Sequence, residues 1–599
     1  MKKYKTKLIL LFTSLLSGLL FFISWPTFGI PIFLFLSLIP LFFVEDFISK
    51  NRKDFPKFSV FTYSFFGLLL WNILTTYWIS YATLFGLFAP VFNAIIFAFA
   101  FQLYSFIKRV VFKEKDNFLL LPIIWISIEY IHHHWELTWP WMSLGNGFAD
   151  YPALIQWYEY TGIFGGSLWV LIANYFGFKA LKSITFSKSS SKKISLLVNS
   201  KKSLLINISS FALVIAFPIL LSLIISNRYK VEDNIPVDVI AIQPNLEPYD
   251  KEKMLSNFEI LDLITSLASK ETDNNTDFII CPEGTLEERI WEDGIENSES
   301  LYLLSEFLMG YDKAQWITGA FTYKLQDENE KTYASRDITG APKPYYSAYN
   351  SAINIKKNYY YEVYHKKKLV PGVEKMPFYK YIKHVMDFAI SLGNLPVGTL
   401  GVDNNQPLFS DDSNRVKVIS SICYESIYGE YIARKVRQGA NLVFIITNDS
   451  WWRDTQGYKQ HAAYARLRAI ETRRFIARSA NTGISSFIDP MGEVIHQTKF
   501  WEVDVIKESL IPQNKLTFYV KYGDYIARIS LFSSILLILI GIVYQIKQKG
   551  EAKYLKNKME SDYSEIESNY RKLTLDSTKI ESNYIFLESR VISLNSNVN

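Results

Sequence analysis

The chain has 599 residues, of which 49% are hydrophobic and 16% aromatic, and its formal net charge is +6. Long apolar runs fill roughly the first 230 residues and one stretch near the C-terminus, which indicates a membrane protein. The basic residues are spread over short loops and form no patch, so we do not expect nucleic-acid binding. Two cysteines, Cys281 and Cys423, are too few for a disulfide framework, although a single bridge between them stays open.

Eight apolar stretches are predicted to cross the membrane as helices. The first resembles a signal peptide, but no small-residue cleavage site follows it and a second apolar run begins almost at once. We therefore predict a helical membrane bundle, with seven spans in residues 1–232 and the eighth in residues 516–546. The eight stretches lie at about 7–25, 30–48, 58–81, 87–107, 117–131, 160–178, 204–226 and 527–546.

Lysine and arginine occur in alternate loops between these spans. They precede the first span and follow the second, fourth, sixth and eighth, whereas loops 26–29, 82–86 and 132–159 contain none. Because basic loops stay in the cytoplasm during membrane insertion, both termini are predicted to be cytoplasmic. Residues 233–515 would then lie on the outer face of the membrane.

One carboxylate falls inside a predicted span. Glu129 would be costly in lipid, so it is either paired or functional, or else hydrated near the outer interface. The sequence leaves both interpretations open. The loop at 135–145, which follows this span, is rich in tryptophan, and tryptophan settles at the headgroup level of a membrane. Three consecutive histidines, 132–134, do not share a helix face, so we predict no metal site there.

Residues 233–515 alternate short strand-like runs with helical stretches, which predicts a mixed α/β layered domain. The predicted strands lie at 237–243, 277–281, 316–321, 416–422 and 441–447. The predicted helices lie at about 250–270, 297–309, 426–438 and 457–473.

Three side chains with complementary chemistry follow separate β segments: Glu283, Lys366 and Cys423. Together they suit acyl transfer, because a carboxylate can deprotonate a thiol while an ammonium group stabilises the tetrahedral oxyanion. Each residue alone is a weak signal. A lone cysteine is more often a small buried hydrophobe, and a lysine in a basic run is usually solvated.

The order of Glu283, Lys366 and Cys423, each in its local context, resembles the nitrilase superfamily. The flanking spans narrow the resemblance to the apolipoprotein N-acyltransferase family, over about residues 7–546. Further matching segments are 140–145 with Pro152, Gln156, Gly162 and Asn174, then 369–374, 423–425, 447–451, 460–471 and 478–483.

The resemblance implies a nitrilase-type αββα sandwich for residues 233–515. It makes Cys423 the nucleophile, Glu283 the general base and later the acid, and Lys366 the oxyanion stabiliser. It also implies supporting or substrate-binding roles for Glu374, Tyr424, Glu425, Tyr249 and Trp451. Tyr249 stands in for a tryptophan of the family, and Gly372-Val373 departs from the family's turn before Glu374. Cys281 is interpreted as a packing residue.

The activity implied by the resemblance is N-acylation of the N-terminal diacylglyceryl-cysteine of apolipoproteins. A phospholipid, with phosphatidylethanolamine expected, would donate the acyl chain through a cysteine thioester, without a metal or cofactor. The implied location is the bacterial cytoplasmic (inner) membrane, with the catalytic domain on the periplasmic or outer face. Two alternatives stay open: a membrane-tethered nitrilase-type amidase, and a non-catalytic lipoprotein scaffold.

The tail at 547–599 is charged and carries an apolar heptad from Met559 to Leu594, with the segment Ile-Glu-Ser-Asn-Tyr at 566–570 and again at 580–584. This pattern predicts a weak coiled coil and self-association. The alternative is a disordered, solvated tail, because Ser577 and three tyrosines occupy core positions.

Overall fold

The computed structural model describes residues 2–26, 29–82, 84–188, 194–198, 200–247, 249–250, 252–379, 381, 399–404 and 406–595. Two compact units are distinguished within the chain. The larger consists of Met1–Ser105 and Asn117–Ser534, and therefore contains most of the apolar helices together with the whole α/β domain. The smaller consists of Phe106–Asp116 and Ile535–Asn599.

The N-terminal region is helical, as its apolar runs predict. Seven stretches of the described residues are long and apolar enough to cross a membrane. The fifth predicted span contains a helix of only 13 residues, about 20 Å long, so the count of eight spans stays a prediction. The helices are α1 (Lys2–Ser24), α2 (Ile39–Lys50), α3 (Ser59–Thr76), α4 (Ile79–Ala82), α5 (Ala89–Val110), α6 (Leu120–His132), α7 (Tyr158–Lys182) and α8 (Lys201–Arg228). Strands β1 (Ile184–Lys188) and β2 (Ile194–Val198) form a hairpin between α7 and α8.

Two β-sheets follow α8. The first has eight strands, with β16, β3, β4, β6, β8 and β7 in order, β5 beside β6 and β9 beside β8. Its strands are β3 (Val237–Gln243), β4 (Thr276–Ile280), β5 (Leu286–Trp291), β6 (Gln315–Gln326), β7 (Arg336–Asp337), β8 (Tyr345–Lys356), β9 (Tyr360–His365) and β16 (Asp504–Leu510). The second has six strands in sequence order: β10 (Phe409–Ser410), β11 (Lys417–Ile422), β12 (Leu442–Thr447), β13 (Ile476–Ala480), β14 (Ser486–Ile488) and β15 (Val494–Gln497).

The two sheets lie face to face between helices. Helices α9 (Asn257–Glu271) and α10 (Glu299–Leu308) bury their apolar faces against the eight-stranded sheet. Helices α11 (Gly429–Arg437) and α12 (Gln456–Thr472) contact the six-stranded sheet. Between the sheets, Phe278 and Phe444 meet edge to face at 5.3 Å. The predicted αββα sandwich beside a helical membrane part is confirmed.

The predicted strands are all present, and β6 continues five residues beyond the predicted end at 321. Helix α9 begins at Asn257 and not near residue 250, because Ser256 and Glu259 form a capping box that fixes its start. The nine other strands of the two sheets were not predicted: β5, β7, β8, β9, β10, β13, β14, β15 and β16.

Side-chain hydrogen bonds join loops of the membrane part to the sandwich. Trp141 Nε1 donates to Gln460 Oε1 at 2.7 Å, and Arg473 Nη1 donates to Gln156 Oε1 at 2.6 Å. Trp25 Nε1 also reaches Tyr464 Oη at 3.1 Å. The partners in the sandwich lie on α12 or directly after it, so this helix is held against the membrane part.

Glu129 is buried on α6, with 1% of its surface exposed. Its Oε1 accepts hydrogen bonds from Trp125 Nε1 at 3.0 Å and from the backbone N–H of Leu144 at 2.9 Å. The paired interpretation of this residue is therefore correct, and the hydrated one is wrong. The carboxylate ties α6 to the tryptophan-rich loop.

After the short helix α13 (Phe518–Tyr522), the C-terminal region is one continuous helix, α14 (Tyr525–Asn595). The heptad side chains of its second half, such as Ile566 and Leu587, are more than 60% exposed. The helical state agrees with the heptad prediction, whereas pairing with another helix stays a prediction.

Candidate active site

Glu283 and Lys366 follow strands of the eight-stranded sheet, and Cys423 follows β11 of the other sheet. Backbone pairing continues past the C-terminal ends of β4 and β9. Gly319 N donates to the Pro282 carbonyl at 3.0 Å, and Lys366 N donates to the Asn350 carbonyl at 2.8 Å. These bonds hold Glu283 and Lys366 in place. Lys366 is hydrogen-bonded to Glu283, and the charges of both act on the Cys423 thiol, so the three residues meet at one edge of the sandwich.

Lys366 lies between two carboxylates. Its Nζ donates to Glu283 Oε1 at 2.9 Å and to Glu374 Oε1 at 2.8 Å. Burial alone would lower the pKa of Lys366, but the two negative charges raise it well above its usual range. The lysine is therefore a fixed ammonium group, with 1% of its surface exposed.

Asn350 on β8 completes this cluster and was not predicted. Its Nδ2 donates to Glu283 Oε1 at 2.7 Å and to Glu374 Oε1 at 2.8 Å, so both carboxylates share the amide as well as the lysine. Glu283 Oε2 accepts from the backbone N–H of Asn448 at 3.1 Å. Asn350 lies in a tyrosine-rich run with no motif, and only knowledge that β8 pairs with β9 would have placed it beside Lys366.

Cys423 lies at a sharp turn between β11 and a short 3₁₀ helix, with φ of +48°. A non-glycine residue in this left-handed region costs of order 1–3 kcal/mol, so its surroundings must impose the conformation. The Cys423 carbonyl accepts from Ser426 Oγ at 2.7 Å and lies 3.2 Å from His461 Nε2. The strain presents the thiol at the strand end.

The thiol of Cys423 is neutral at rest. Burial, followed by the negative charge of Glu283, raises the pKa of Cys423 well above its usual range, against the opposing effect of Lys366. The site therefore combines a neutral thiol, a nearby carboxylate and a permanent cation. A base must take the thiol proton at the moment of attack.

Glu425 is fully buried two residues after Cys423. Its Oε1 accepts from the backbone N–H groups of Lys367 and Lys368, at 2.6 and 3.2 Å, and its Oε2 accepts from Ile422 N and Tyr364 Oη. One carboxylate thus joins the turn that carries Cys423 to the segment that carries Lys366. All four of these contacts are hydrogen bonds that fix the two segments relative to each other.

A second buried network of charged side chains contacts the turn at Cys423 through His461. His461 Nδ1 lies 2.9 Å from Asp449 Oδ1, and Arg478 pairs with the other carboxylate oxygen. Although burial would raise the pKa of Asp449, the charges of Arg478 and His461 hold it far below its usual range. The sequence segments 447–451, 460–471 and 478–483 meet here.

The tryptophan-rich membrane loop contacts the site. Tyr424 Oη donates to the Thr138 carbonyl at 2.9 Å, and Lys375 Nζ pairs with Glu136 at 2.8 Å. Tyr424 and Lys375 are close in sequence to Cys423 and Glu374 respectively. The loop therefore links the membrane part to the surroundings of both residues.

Tyr249 and Trp451 are partly exposed and contact each other edge to face at 6.2 Å. Tyr249 Oη donates to the Ser450 carbonyl at 2.7 Å, in the loop that begins at Asn448. They therefore lie beside the edge of the sandwich where Glu283 is held, but they do not touch the cluster of buried charges.

A turn, a cysteine and the absence of a metal site were also predicted. Gly372 has φ of +78° and donates to the Lys375 carbonyl at 2.7 Å, so a tight turn precedes Glu374 despite the departure from the family pattern. Cys281 is a free thiol in the apolar core beneath α9 and α10, as the packing interpretation predicts. The described residues contain no group of three His, Cys, Asp or Glu side chains suited to a metal ion.

The sandwich and its buried carboxylate, ammonium and thiol define a cysteine site of the carbon–nitrogen hydrolase type. In agreement, residues 239–513 match the carbon–nitrogen hydrolase family, and residues 17–176 match the apolipoprotein N-acyltransferase N-terminal domain.

Curated apolipoprotein N-acyltransferases align with most of the chain. The apolipoprotein N-acyltransferase of Chlorobaculum tepidum is 27% identical over 89% of this chain and 96% of its own length. The apolipoprotein N-acyltransferase of Rickettsia typhi is 28% identical over 87% of this chain and 95% of its own length. Saccharomyces cerevisiae Nit3, a nitrilase-superfamily structure, aligns with a TM-score of 0.32 and 15% identity over 47% of this chain and 93% of its own. The chain belongs to the apolipoprotein N-acyltransferase family.

Proposed function

We propose that this protein transfers an acyl chain from a membrane phospholipid to the α-amino group of the N-terminal diacylglyceryl-cysteine of apolipoproteins, the last step of bacterial lipoprotein maturation. The observation that carries the proposal is the buried set of Glu283, Lys366 and Cys423 in a chain of this family. Its attachment to apolar helices within one compact unit suits substrates that are themselves anchored in lipid.

In the first half-reaction, Glu283 takes the thiol proton as the sulfur of Cys423 attacks the ester carbonyl of the phospholipid. The negative charge that develops on the carbonyl oxygen is stabilised by the Lys366 ammonium and by the backbone N–H of Tyr424. When the C–O bond breaks, Glu283 returns the proton to the departing glycerol oxygen. The products are a lysophospholipid and an acyl thioester on Cys423.

In the second half-reaction, the free α-amine of the diacylated acceptor attacks the thioester carbonyl. Glu283 now takes a proton from the attacking amine, and the sulfur leaves as a thiol with that proton. The same ammonium group stabilises the second oxyanion. Glu374 and Asn350 act as positioning residues in both steps, because they hold Glu283 and Lys366 through shared hydrogen bonds.

Competing hydrolysis must be slow, because water would convert the thioester to a free fatty acid. Tyr249 and Trp451 are assigned to the binding of substrate chains or headgroups beside the site. Their partial exposure at the edge of the sandwich supports this assignment. Phosphatidylethanolamine is the proposed donor.

The loop charges support a location in the bacterial cytoplasmic membrane, with residues 233–515 on the outer face and both termini in the cytoplasm. The tail after residue 546 then lies in the cytoplasm, away from the reaction. Its exposed heptad supports weak self-association, which would leave catalysis unchanged.

The test is a purified assay in mixed phospholipid and detergent micelles with a diacylated lipopeptide. We expect the wild-type protein to add the mass of one acyl chain to the peptide amine, and the Cys423→Ser variant to add none. A peptide that gains no acyl chain, while a small amide is hydrolysed, would favour the membrane-tethered amidase instead.

A further inference from the structure

A cavity of about 340 Å³ lies in the larger unit, beside the segment that follows Lys366. Its lining does not include Glu283, Lys366 or Cys423, and the mechanism above makes no use of it. Four basic side chains face it, two from the segment after Lys366 and two from α11: Lys367, Lys368, Arg434 and Lys435.

Among the described residues these cations have no carboxylate partner. None of the four forms a salt bridge with a carboxylate in the part of the chain that the structure describes. Lys435 is 3% exposed, and its Nζ donates to the Gln406 carbonyl at 2.5 Å. Lys368 Nζ lies 4.6 Å from the centre of the Tyr428 ring. Carbonyl and ring contacts do not neutralise these charges.

The two acidic groups on the cavity wall do not compensate for them. Glu430 already pairs with Arg528 at 2.9 Å. Asp524 accepts a hydrogen bond from Tyr519 Oη at 2.6 Å, and four cations face only these two acidic groups. The cavity therefore carries an excess of positive charge. Burial lowers the pKa of Lys435 to about 8, because the charges of Arg434 and Lys367 act in the same direction and the charge of Glu425 opposes them only in part.

We propose that this cavity binds a phosphate group, supplied by an anionic phospholipid headgroup or by free phosphate. A phosphate would give the four cations a common counterion and accept several charge-assisted hydrogen bonds. The histidines at the end of α6 also line the cavity, at the end of a predicted span, where phospholipid phosphates lie.

A phosphate bound in the cavity would act on the active site through the backbone of Lys367 and Lys368, which follow Lys366. The N–H groups of Lys367 and Lys368 are bound by Glu425, and Tyr431 on the cavity wall bonds to Tyr364, which also donates to Glu425. A phosphate held by these lysines would therefore fix the segment that positions Lys366.

The experiment measures thermal unfolding of the full-length purified protein in detergent during titration with phosphatidylglycerol or with sodium phosphate. Sodium chloride at equal ionic strength is the blank. We compare the wild type with Lys368→Gln/Arg434→Gln, and with the charge-matched control Lys270→Gln/Lys459→Gln, at exposed sites outside the cavity. No acyl acceptor is present, so the result does not depend on transferase activity.

We expect saturable stabilisation of the wild type and the control, with an apparent Kd that rises about tenfold or more in the cavity variant. Stabilisation by phosphatidylglycerol alone identifies a headgroup site, and stabilisation by sodium phosphate identifies a site for the free anion. The single variant Arg434→Gln, at an exposed position, should show a smaller loss in the same direction. Equal Kd values in the wild type and both cavity variants, or no stabilisation of the wild type beyond the chloride blank, would overturn the proposal.

Discussion

The side-chain amide of Asn350 donates a hydrogen bond of 2.7 Å to Glu283 Oε1. Its other hydrogen reaches Glu374, so one amide holds the proposed base and its supporting carboxylate at a fixed separation. A base that must accept and return a proton twice in each cycle depends on this restraint.

Replacing Asn350 with leucine should lower kcat about 10- to 100-fold, because charge-assisted hydrogen bonds of about 1.5–3 kcal/mol are lost. The measurement is steady-state acyl transfer to a diacylated lipopeptide. Asn354→Leu is the matched control, since Asn354 is buried on the same strand but bonds to Gln315 and Glu362. A kcat for Asn350→Leu equal to that of the control would contradict the positioning role.

Replacing Glu374 with glutamine should reduce activity most strongly at high pH. Two carboxylates raise the pKa of Lys366, so the ammonium form, present below that pKa, is lost only as the pH rises through it. Removing one negative charge lowers that pKa and moves the alkaline limb of the kcat profile to lower pH. Glu362→Gln, on the neighbouring strand β9, should leave the profile unchanged. An unshifted alkaline limb in Glu374→Gln would show that Glu374 does not hold the lysine charge.

The thiol of Cys423 should react slowly with iodoacetamide at neutral pH, and its rate should rise about tenfold per pH unit from 7 to 9. The reason is the raised pKa, which keeps the thiolate fraction small. Alkylation is followed by intact-protein mass spectrometry. The Cys423→Ala variant, which retains only the buried Cys281, gives the background rate. A rate that levels off below pH 7 would reveal a preformed thiolate.

Replacing Gly145 with alanine should destabilise the contact between the tryptophan-rich loop and α7. An added Cβ would lie 2.0 Å from the backbone oxygen of Ile163, an atom that has no freedom to move aside. We expect a clear fall in the unfolding temperature in detergent. Gly310→Ala, whose Cβ would meet nothing closer than 3.7 Å, should unfold like the wild type. Equal stability of the two variants would show that the close approach is not maintained.

Deleting residues after about 550 should leave kcat and KM for acyl transfer within a factor of about two of the wild type. The deleted part belongs to the smaller unit, and its heptad side chains are exposed. If the heptad mediates self-association, the truncated protein should also show a smaller mass by light scattering at high concentration. A large loss of kcat in the truncated protein would contradict the separation of tail and catalysis.

The sequence predicted the parts of the site that carry their chemistry in a local pattern. Glu283, Lys366 and Cys423 each follow a β segment, and strand ends place side chains at one edge of a sheet. Asn350 was missed because its role depends on the pairing of β8 with β9, strands that were themselves not predicted. The burial of Glu129 was also beyond the sequence, since its donors come from a residue one turn away and from a loop 15 positions later.

The different surroundings of Lys366, Lys367 and Lys368 also depend on tertiary contacts that the sequence does not reveal. A run of three lysines is ordinarily a solvated surface, and only the family resemblance distinguished Lys366 from Lys367 and Lys368. The structure separates the three: one is buried between carboxylates and the next two face a cavity.

The most direct test of the central claim is the covalent intermediate. The purified protein is incubated with phosphatidylethanolamine of defined chains and no acceptor, then digested and analysed by mass spectrometry. We predict that the peptide containing Cys423 gains the mass of one acyl chain, that hydroxylamine removes it, and that adding a diacylated lipopeptide moves it to the peptide amine. A protein that acylates the lipopeptide while Cys423 stays unmodified, or after its replacement by alanine, would contradict the account.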